Sequence, residues 1–162
     1  SNASHITNLA DGILFLSLLS GRNPEYLIGQ HVQVAPLLKQ TQLEVMATGY
    51  LLVESGRQTT VSYMSGTTPI PKDKPEIAVA TAMAGEMLGN KLIYLEAGSG
   101  AENHVPLAMV KDVSDNIDIP LIVGGGIRSQ KTMEALYQAG ATMLVIGTAF
   151  EKDTNFFREA QV

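Results

Sequence analysis

Lys91-Leu92-Ile93-Tyr94-Leu95-Glu96-Ala97-Gly98-Ser99-Gly100-Ala101 is the stretch on which the reading of the chain turns. Its first half is a short apolar run without polar alternation, as in a strand buried on both faces. Its second half is a carboxylate followed at once by small residues. A strand that ends in an acid and opens into a glycine turn holds the acid rigidly. It also lets a ligand come close to the backbone. Two more strand-to-glycine junctions follow, Ile122-Val123-Gly124-Gly125-Gly126 and Val145-Ile146-Gly147-Thr148. The three tips read as walls around one phosphorylated small molecule.

Outward from this stretch, strands and helices alternate. Residues 12–19, Gly-Ile-Leu-Phe-Leu-Ser-Leu-Leu, form a nearly continuous apolar run and predict a buried strand. Asn23-Pro24 predicts a helix start, with Asn23 as cap and Pro24 at the first position. Residues 44–54 predict a second strand, and β-branched 59–63 a short hairpin partner for it. Pro75 opens a helix that Gly89-Asn90 closes. Strand 92–96, helix 106–116, strand 121–123, a helix from Gln130 to Ala139 capped by Ser129, and strand 143–146 complete the order, with Thr154 as cap of a short closing helix.

Short apolar strands alternating with helices are the signature of a parallel α/β sheet covered by helices. No strand runs into a Gly-x-Gly-x-x-Gly turn, so a TIM-type barrel of βα units is favoured over a doubly wound sheet. In such barrels ligands sit at the C-terminal strand ends, and phosphate is often held by the loops after the last two strands. Here those loops are Gly124-Gly125-Gly126 and Gly147-Thr148. An eight-unit barrel needs ~250 residues, and this chain has 162. About five C-terminal βα units are expected, with the first three strands missing. A five-stranded parallel piece leaves two open edges, which favour association.

The composition narrows the function. Eleven basic and 16 acidic residues give a net charge of −5, against the basic field of a nucleic-acid binder. Mean hydropathy is +0.11, as for a globular chain with buried strands. There is no cysteine, which removes disulfides, thiolate chemistry and cysteine zinc sites. No apolar run approaches the ~20 residues of a membrane span, and no signal peptide is evident. A cytoplasmic location is expected. Ser1-Asn2-Ala3 reads as a tag scar.

The candidate residues carry alternatives. Glu96 is a catalytic base for a hydroxyl of the bound molecule, or a solvated acid, or a partner of Arg128. Tyr94, two residues earlier, points to the same side and is a phosphate donor or a core tyrosine. Ser99 is a phosphate donor or a turn residue. Gly124-Gly125-Gly126 presents backbone N–H groups to an anion, or is a flexible turn. Arg22 meets a diphosphate or is a solvated loop arginine. Tyr50, with Leu51, Leu52 and Val53, lines a lipid groove or lies in a buried strand. His5, His31 and His104 show no ligand spacing.

Taken together, Tyr94-Leu95-Glu96-Ala97-Gly98-Ser99-Gly100-Ala101, Gly124-Gly125-Gly126-Ile127-Arg128 and Gly147-Thr148 resemble the geranylgeranylglyceryl phosphate synthase family, also called PcrB-like. The likeness extends to residues 18–24 and 29–31, to Thr48-Gly49-Tyr50, and to 60–71, and is greater to the bacterial branch. It implies a modified TIM barrel and a prenyltransferase that joins sn-glycerol 1-phosphate to a polyprenyl diphosphate by an ether bond. By resemblance, Tyr94, Leu95, Glu96, Ala97, Gly98, Ser99, Gly100, Gly124, Gly125, Gly126, Gly147 and Thr148 bind glycerol phosphate. Glu96 deprotonates the 3-hydroxyl, and Tyr50 borders the prenyl groove. The resemblance also implies Mg2+ and a homodimer. The family's first three strands, with its magnesium aspartate, find no counterpart, and strand 12–19 aligns with the fourth. No metal ligand is therefore expected in this chain, and transfer by it is expected to be impaired. A phosphate-binding barrel fragment without catalysis is the alternative.

Overall fold

The computed structural model describes residues 6, 7 and 9–157. Ser1-Asn2-Ala3 and His5 lie outside the described residues. The elements run β1 (Gly12–Leu18), a 3-10 turn (Leu19–Gly21), a π-helical turn (Glu25–Gly29), α1 (Gln30–Leu38), β2 (Glu44–Leu52), α2 (Thr60–Ser65), α3 (Pro75–Met87), β3 (Leu92–Glu96), α4 (Leu107–Ser114), β4 (Leu121–Gly124), α5 (Gln130–Gln138), β5 (Met143–Val145) and α6 (Thr148–Lys152).

All strand pairs are parallel, and the sheet order is β1-β2-β3-β4-β5. Each strand therefore pairs with the next in sequence. A doubly wound sheet reverses direction at a switch point; this one does not, which is the barrel-type order. Central β3 and β4 are buried almost throughout. That is why their sequences show no polar alternation.

The register gives the sheet two different faces. Leu51, Val53, Ile93, Leu95, Leu121 and Val123 face the helices, where they pack with Ala78 and Ala82 of α3, with Met109, Val110 and Val113 of α4, and with Leu136 of α5. On the other face Leu18, Tyr50, Tyr94 and Ile122 lie in register across four strands. One step further along, Leu52, Glu96, Gly124 and Val145 form the next row. The first face is a hydrocarbon core. The second ends in a carboxylate and a glycine, so its last row has room and polarity.

Most expected elements are present, with ends shifted by a residue or two. Asn23 Oδ1 accepts from the Glu25 N–H at 3.1 Å, as a cap does, but the first turn that follows is π-helical. Pro75 is the first residue of α3, and Ser129 Oγ accepts from the Thr132 N–H at 3.2 Å.

Two expectations are corrected. Residues 59–63 do not form a hairpin strand: Thr59 caps α2. Thr59 Oγ1 accepts from the Ser62 N–H at 3.3 Å, and Ser62 Oγ accepts from the Thr59 N–H at 3.1 Å. This reciprocal capping box outweighs the β-branched composition. The closing helix begins at Thr148 rather than after Thr154, which lies in a turn beyond it.

Candidate active site

Glu96 is the last residue of β3 and is only 8% exposed. Burial raises its pKa above the ordinary carboxylate value. Two neighbours work against that shift: the Tyr94 hydroxyl, and the Gly98 N–H, which donates to Oε1 at 2.7 Å. Tyr50 of β2 packs its ring edge-on to Tyr94, with centroids 5.1 Å apart and planes at 68°. Burial and the neighbouring Glu96 charge push both tyrosine hydroxyls up, out of the range in which they ionise in folded proteins.

Glu96 opens onto a cavity of about 260 Å³. Its walls come from all three glycine junctions: Gly98, Ser99, Gly100 and Ala101 after β3, Gly125, Gly126, Ile127 and Arg128 after β4, and Gly147 and Thr148 after β5. Tyr50, Val61, Val145, Ile146 and Ala149 add apolar lining. Among the described residues, the amides of Ser99, Gly100, Gly125 and Gly126 have no backbone acceptor. Free amides around a cavity suit an anion with several oxygens.

The glycines are required by contact. A methyl group on Gly124 would lie 2.5 Å from the Tyr94 hydroxyl oxygen and 2.6 Å from Glu96 Oε2. Gly126 has φ +70°, and a methyl there would lie 2.5 Å from the Asn103 carbonyl. The loops after β3 and β4 therefore touch backbone to backbone.

Four expected ligand residues do not line the cavity. Leu95 and Ala97 are fully buried in the core on the helix side. Tyr94 and Gly124 lie beneath the floor, with the Tyr94 hydroxyl and Glu96 Oε2 both set over Gly124. Arg128 does not pair with Glu96, since its guanidinium donates to the carbonyls of Ala101 and Glu102. Arg22 borders a separate cavity between the turn after β1 and α3, in company with Glu76. Leu51, Leu52 and Val53 are buried at 0%, 0% and 1%, so only Tyr50 of that run reaches a groove. That groove is a second, smaller pocket lined by Leu16, Leu18, Tyr26, Gln30, His31, Tyr50 and Val61. It shares Tyr50 and Val61 with the Glu96 cavity.

Val61, Arg57 and Thr59 escaped the sequence reading. Thr59-x-x-Ser62 was the available signal: as a capping box it places Val61 on a helix over the cavity. His31 is buried, with Nε2 2.7 Å from the Leu16 carbonyl. His104 Nδ1 lies 2.7 Å from the Val105 carbonyl. Among the described residues no group of three His, Asp or Glu side chains gathers to hold a metal. No helix among them is long and apolar enough to cross a membrane.

Comparison with known proteins gives the same picture from another side. A geranylgeranylglyceryl phosphate synthase of Flavobacterium johnsoniae is 58% identical over 154 residues, which is 95% of this chain and 63% of that protein. The synthase of Korarchaeum cryptofilum is 44% identical over 151 residues, 93% of this chain and 62% of its own. The crystal structure of (S)-3-O-geranylgeranylglyceryl phosphate synthase from Thermoplasma acidophilum, in complex with its substrate sn-glycerol-1-phosphate, superposes with a TM-score of 0.90 at 38% identity. That match covers 98% of this chain and 64% of the other. The chain thus spans a little over three fifths of the relatives it matches. The PcrB family profile matches residues 1–161, and with this sheet order and these three glycine junctions the chain belongs to the PcrB family.

Proposed function

We propose that this chain carries the glycerol-phosphate side of a prenyltransferase site. The reaction joins the 3-hydroxyl oxygen of sn-glycerol 1-phosphate to the allylic carbon of a polyprenyl diphosphate. A C–O ether bond forms, the carbon–diphosphate bond breaks, and the hydroxyl proton leaves to a base. The phosphate would lie against the free amides of Ser99, Gly100, Gly125 and Gly126, with the Thr148 hydroxyl beside them. Glu96 is the base.

One observation carries this reading: a buried carboxylate with a raised pKa stands at the wall of a cavity ringed by unbonded amides. A raised carboxyl pKa improves proton transfer from an alcohol near neutral pH. The Gly98 amide holds the carboxylate at Oε1. The smaller, mostly aliphatic and aromatic pocket beside Tyr50 suits the start of a prenyl tail. The bound sn-glycerol-1-phosphate of the Thermoplasma acidophilum relative supports the choice of acceptor.

Magnesium belongs to the proposed reaction as the counter-charge of a leaving diphosphate. The described residues do not build a site for it: no three His, Asp or Glu side chains gather among them, and Glu96 is the one carboxylate or histidine on the cavity wall. The chemistry assigned to this chain therefore passes through no metal. A dimer and a cytoplasmic location extend the same reading. The lone carboxylate favours one second reading, a phosphate-binding unit without turnover.

Calorimetric titration with sn-glycerol 1-phosphate, alongside a transfer assay with geranylgeranyl diphosphate, tests both. Glu96→Gln should leave glycerol phosphate binding within about twofold and lower transfer by ~100-fold or more. Unchanged transfer removes Glu96 from the mechanism. Binding without any wild-type transfer leaves the second reading.

A further inference from the structure

The loop after β3 is gripped from two sides. Arg57, in the loop after β2, donates to the Gly100 carbonyl. Arg128, just beyond the triple glycine, donates through Nη2 to the Ala101 carbonyl at 2.6 Å and through Nη1 to the Glu102 carbonyl at 3.0 Å. Three consecutive carbonyls are thus turned onto guanidinium groups. The Ser99 and Gly100 amides at the start of this segment are left without a backbone acceptor. Gly98 and Gly100 both have positive φ, +100° and +69°, so the segment has little intrinsic stiffness of its own.

The one ion pair among the described residues is Lys111 with Asp115. Arg57 and Arg128 donate to neutral carbonyls instead. Gly100, Ala101 and Arg128 itself line the Glu96 cavity. A guanidinium is a planar fork that fixes two acceptors at once, which a lysine ammonium cannot reproduce.

We infer that Arg57 and Arg128 are positioning residues: together they hold residues 98–102 in an anion-binding shape and back that loop with two positive charges. This rests on the phosphate reading of the cavity. Two exposed arginines that merely satisfy nearby carbonyls would leave affinity untouched. The two contributions separate experimentally, because the charge of an exposed group is screened by salt whereas the shape of the fork is not.

Arg57→Lys and Arg128→Lys keep the charge and lose the fork; Arg128→Gln loses both. For each, the Kd for sn-glycerol 1-phosphate is measured at low and high salt, and amide hydrogen exchange is followed without ligand at Gly98 and Ala101, the amides of 98–102 that are bonded. Arg128→Lys should weaken binding about tenfold, the scale of a lost charge-assisted bond, and speed exchange at Gly98 and Ala101 while β3 and α4 stay protected. Arg57→Lys should do the same more weakly, about threefold. Arg128→Gln should bind more weakly than Arg128→Lys at low salt, with the gap closing at high salt. Wild-type affinity in both lysine variants overturns the inference, as does unchanged exchange at Gly98 and Ala101. Wild-type protein that binds neither sn-glycerol 1-phosphate nor inorganic phosphate sinks the functional reading instead, and the exchange data still decide whether the arginines hold the loop.

Discussion

The Tyr94 hydroxyl and the carboxylate of Glu96, two residues further along the same face of β3, meet over Gly124, where a methyl group would lie 2.5 Å from the one and 2.6 Å from the other. The hydroxyl lowers the pKa of Glu96 while burial, the larger effect, raises it. Tyr94→Phe removes the lowering influence and keeps the ring edge-on to Tyr50. The Glu96 pKa should rise further, and the acid limb of any pH–rate profile should move to higher pH. Carbon-detected NMR titration of the carboxyl group checks this, and a carboxyl that titrates lower in the variant contradicts it.

Glu96 also links stability to pH. Its folded-state pKa lies above the reference value of 4.5. The folded state therefore holds the proton more tightly, and its advantage is complete below the unfolded pKa. That advantage is lost as pH rises through the folded value. Glu96→Gln carries no such loss. Urea unfolding should show the variant and wild type alike below the reference value, with the variant more stable at pH 8 by on the order of 1 kcal/mol, the usual gain on relieving a functional site. Equal stability at pH 8 would mean that the carboxylate is not strained by burial.

The glycines at the cavity should separate by what surrounds them. Gly125 has φ +82°, and a methyl there would lie 2.6 Å from Glu96 Oε1. Gly147 has nothing within 4 Å of the corresponding position. Gly125→Ala should lose about 1–3 kcal/mol of stability together with phosphate binding. Gly147→Ala should unfold within about 0.5 kcal/mol of wild type. Denaturant midpoints of the two variants, measured side by side, decide the point.

Thr59 ties the cavity lining to a helix cap. Thr59→Ala removes the acceptor for the Ser62 amide, a loss of about 1 kcal/mol. It also removes the side chain packed against Gly98. Thr59→Ser keeps the cap and should restore the stability. If serine fails to recover it, the contact with Gly98 matters more than the hydrogen bond.

The burial of Tyr50 and Tyr94 gives a spectroscopic prediction. Both hydroxyls are pushed well above their ordinary value by burial and by Glu96. Two of the five tyrosines should fail to give tyrosinate absorbance until the protein unfolds in alkali. Full, reversible ionisation of all five before unfolding would contradict the stacked pair.

The order of elements was legible because β3 and β4 are short apolar runs bounded by strong punctuation, such as Pro75, Gly89 and Ser129. The three glycine junctions were legible as well, since an acid or glycine at a strand end is a local feature. Residues 59–63 form a helix start against expectation, because their composition favours a strand while a two-residue hydrogen-bond exchange, Thr59 with Ser62, favours a helix. Side-chain direction explains the rest. Leu95 and Ala97 sit inside the motif, but strand alternation turns them into the helix-side core. The contacts of Arg57 and Arg128 span 43 and 27 positions, and no local pattern announces a bond to a distant carbonyl.

The close approach of Gly126 to the backbone of Asn103 and His104 has a consequence for how this protein can vary. Loops in such folds ordinarily lengthen and shorten freely, because each runs alone over the surface. Here two of them are seated against each other like adjoining stones, and an insertion in one would push the other out of place. Changes in length at this end of the sheet must come in pairs, or fall beyond Arg128. A deep insertion scan across 95–130 should return a gap at these two loops wider than the cavity-lining residues alone would produce.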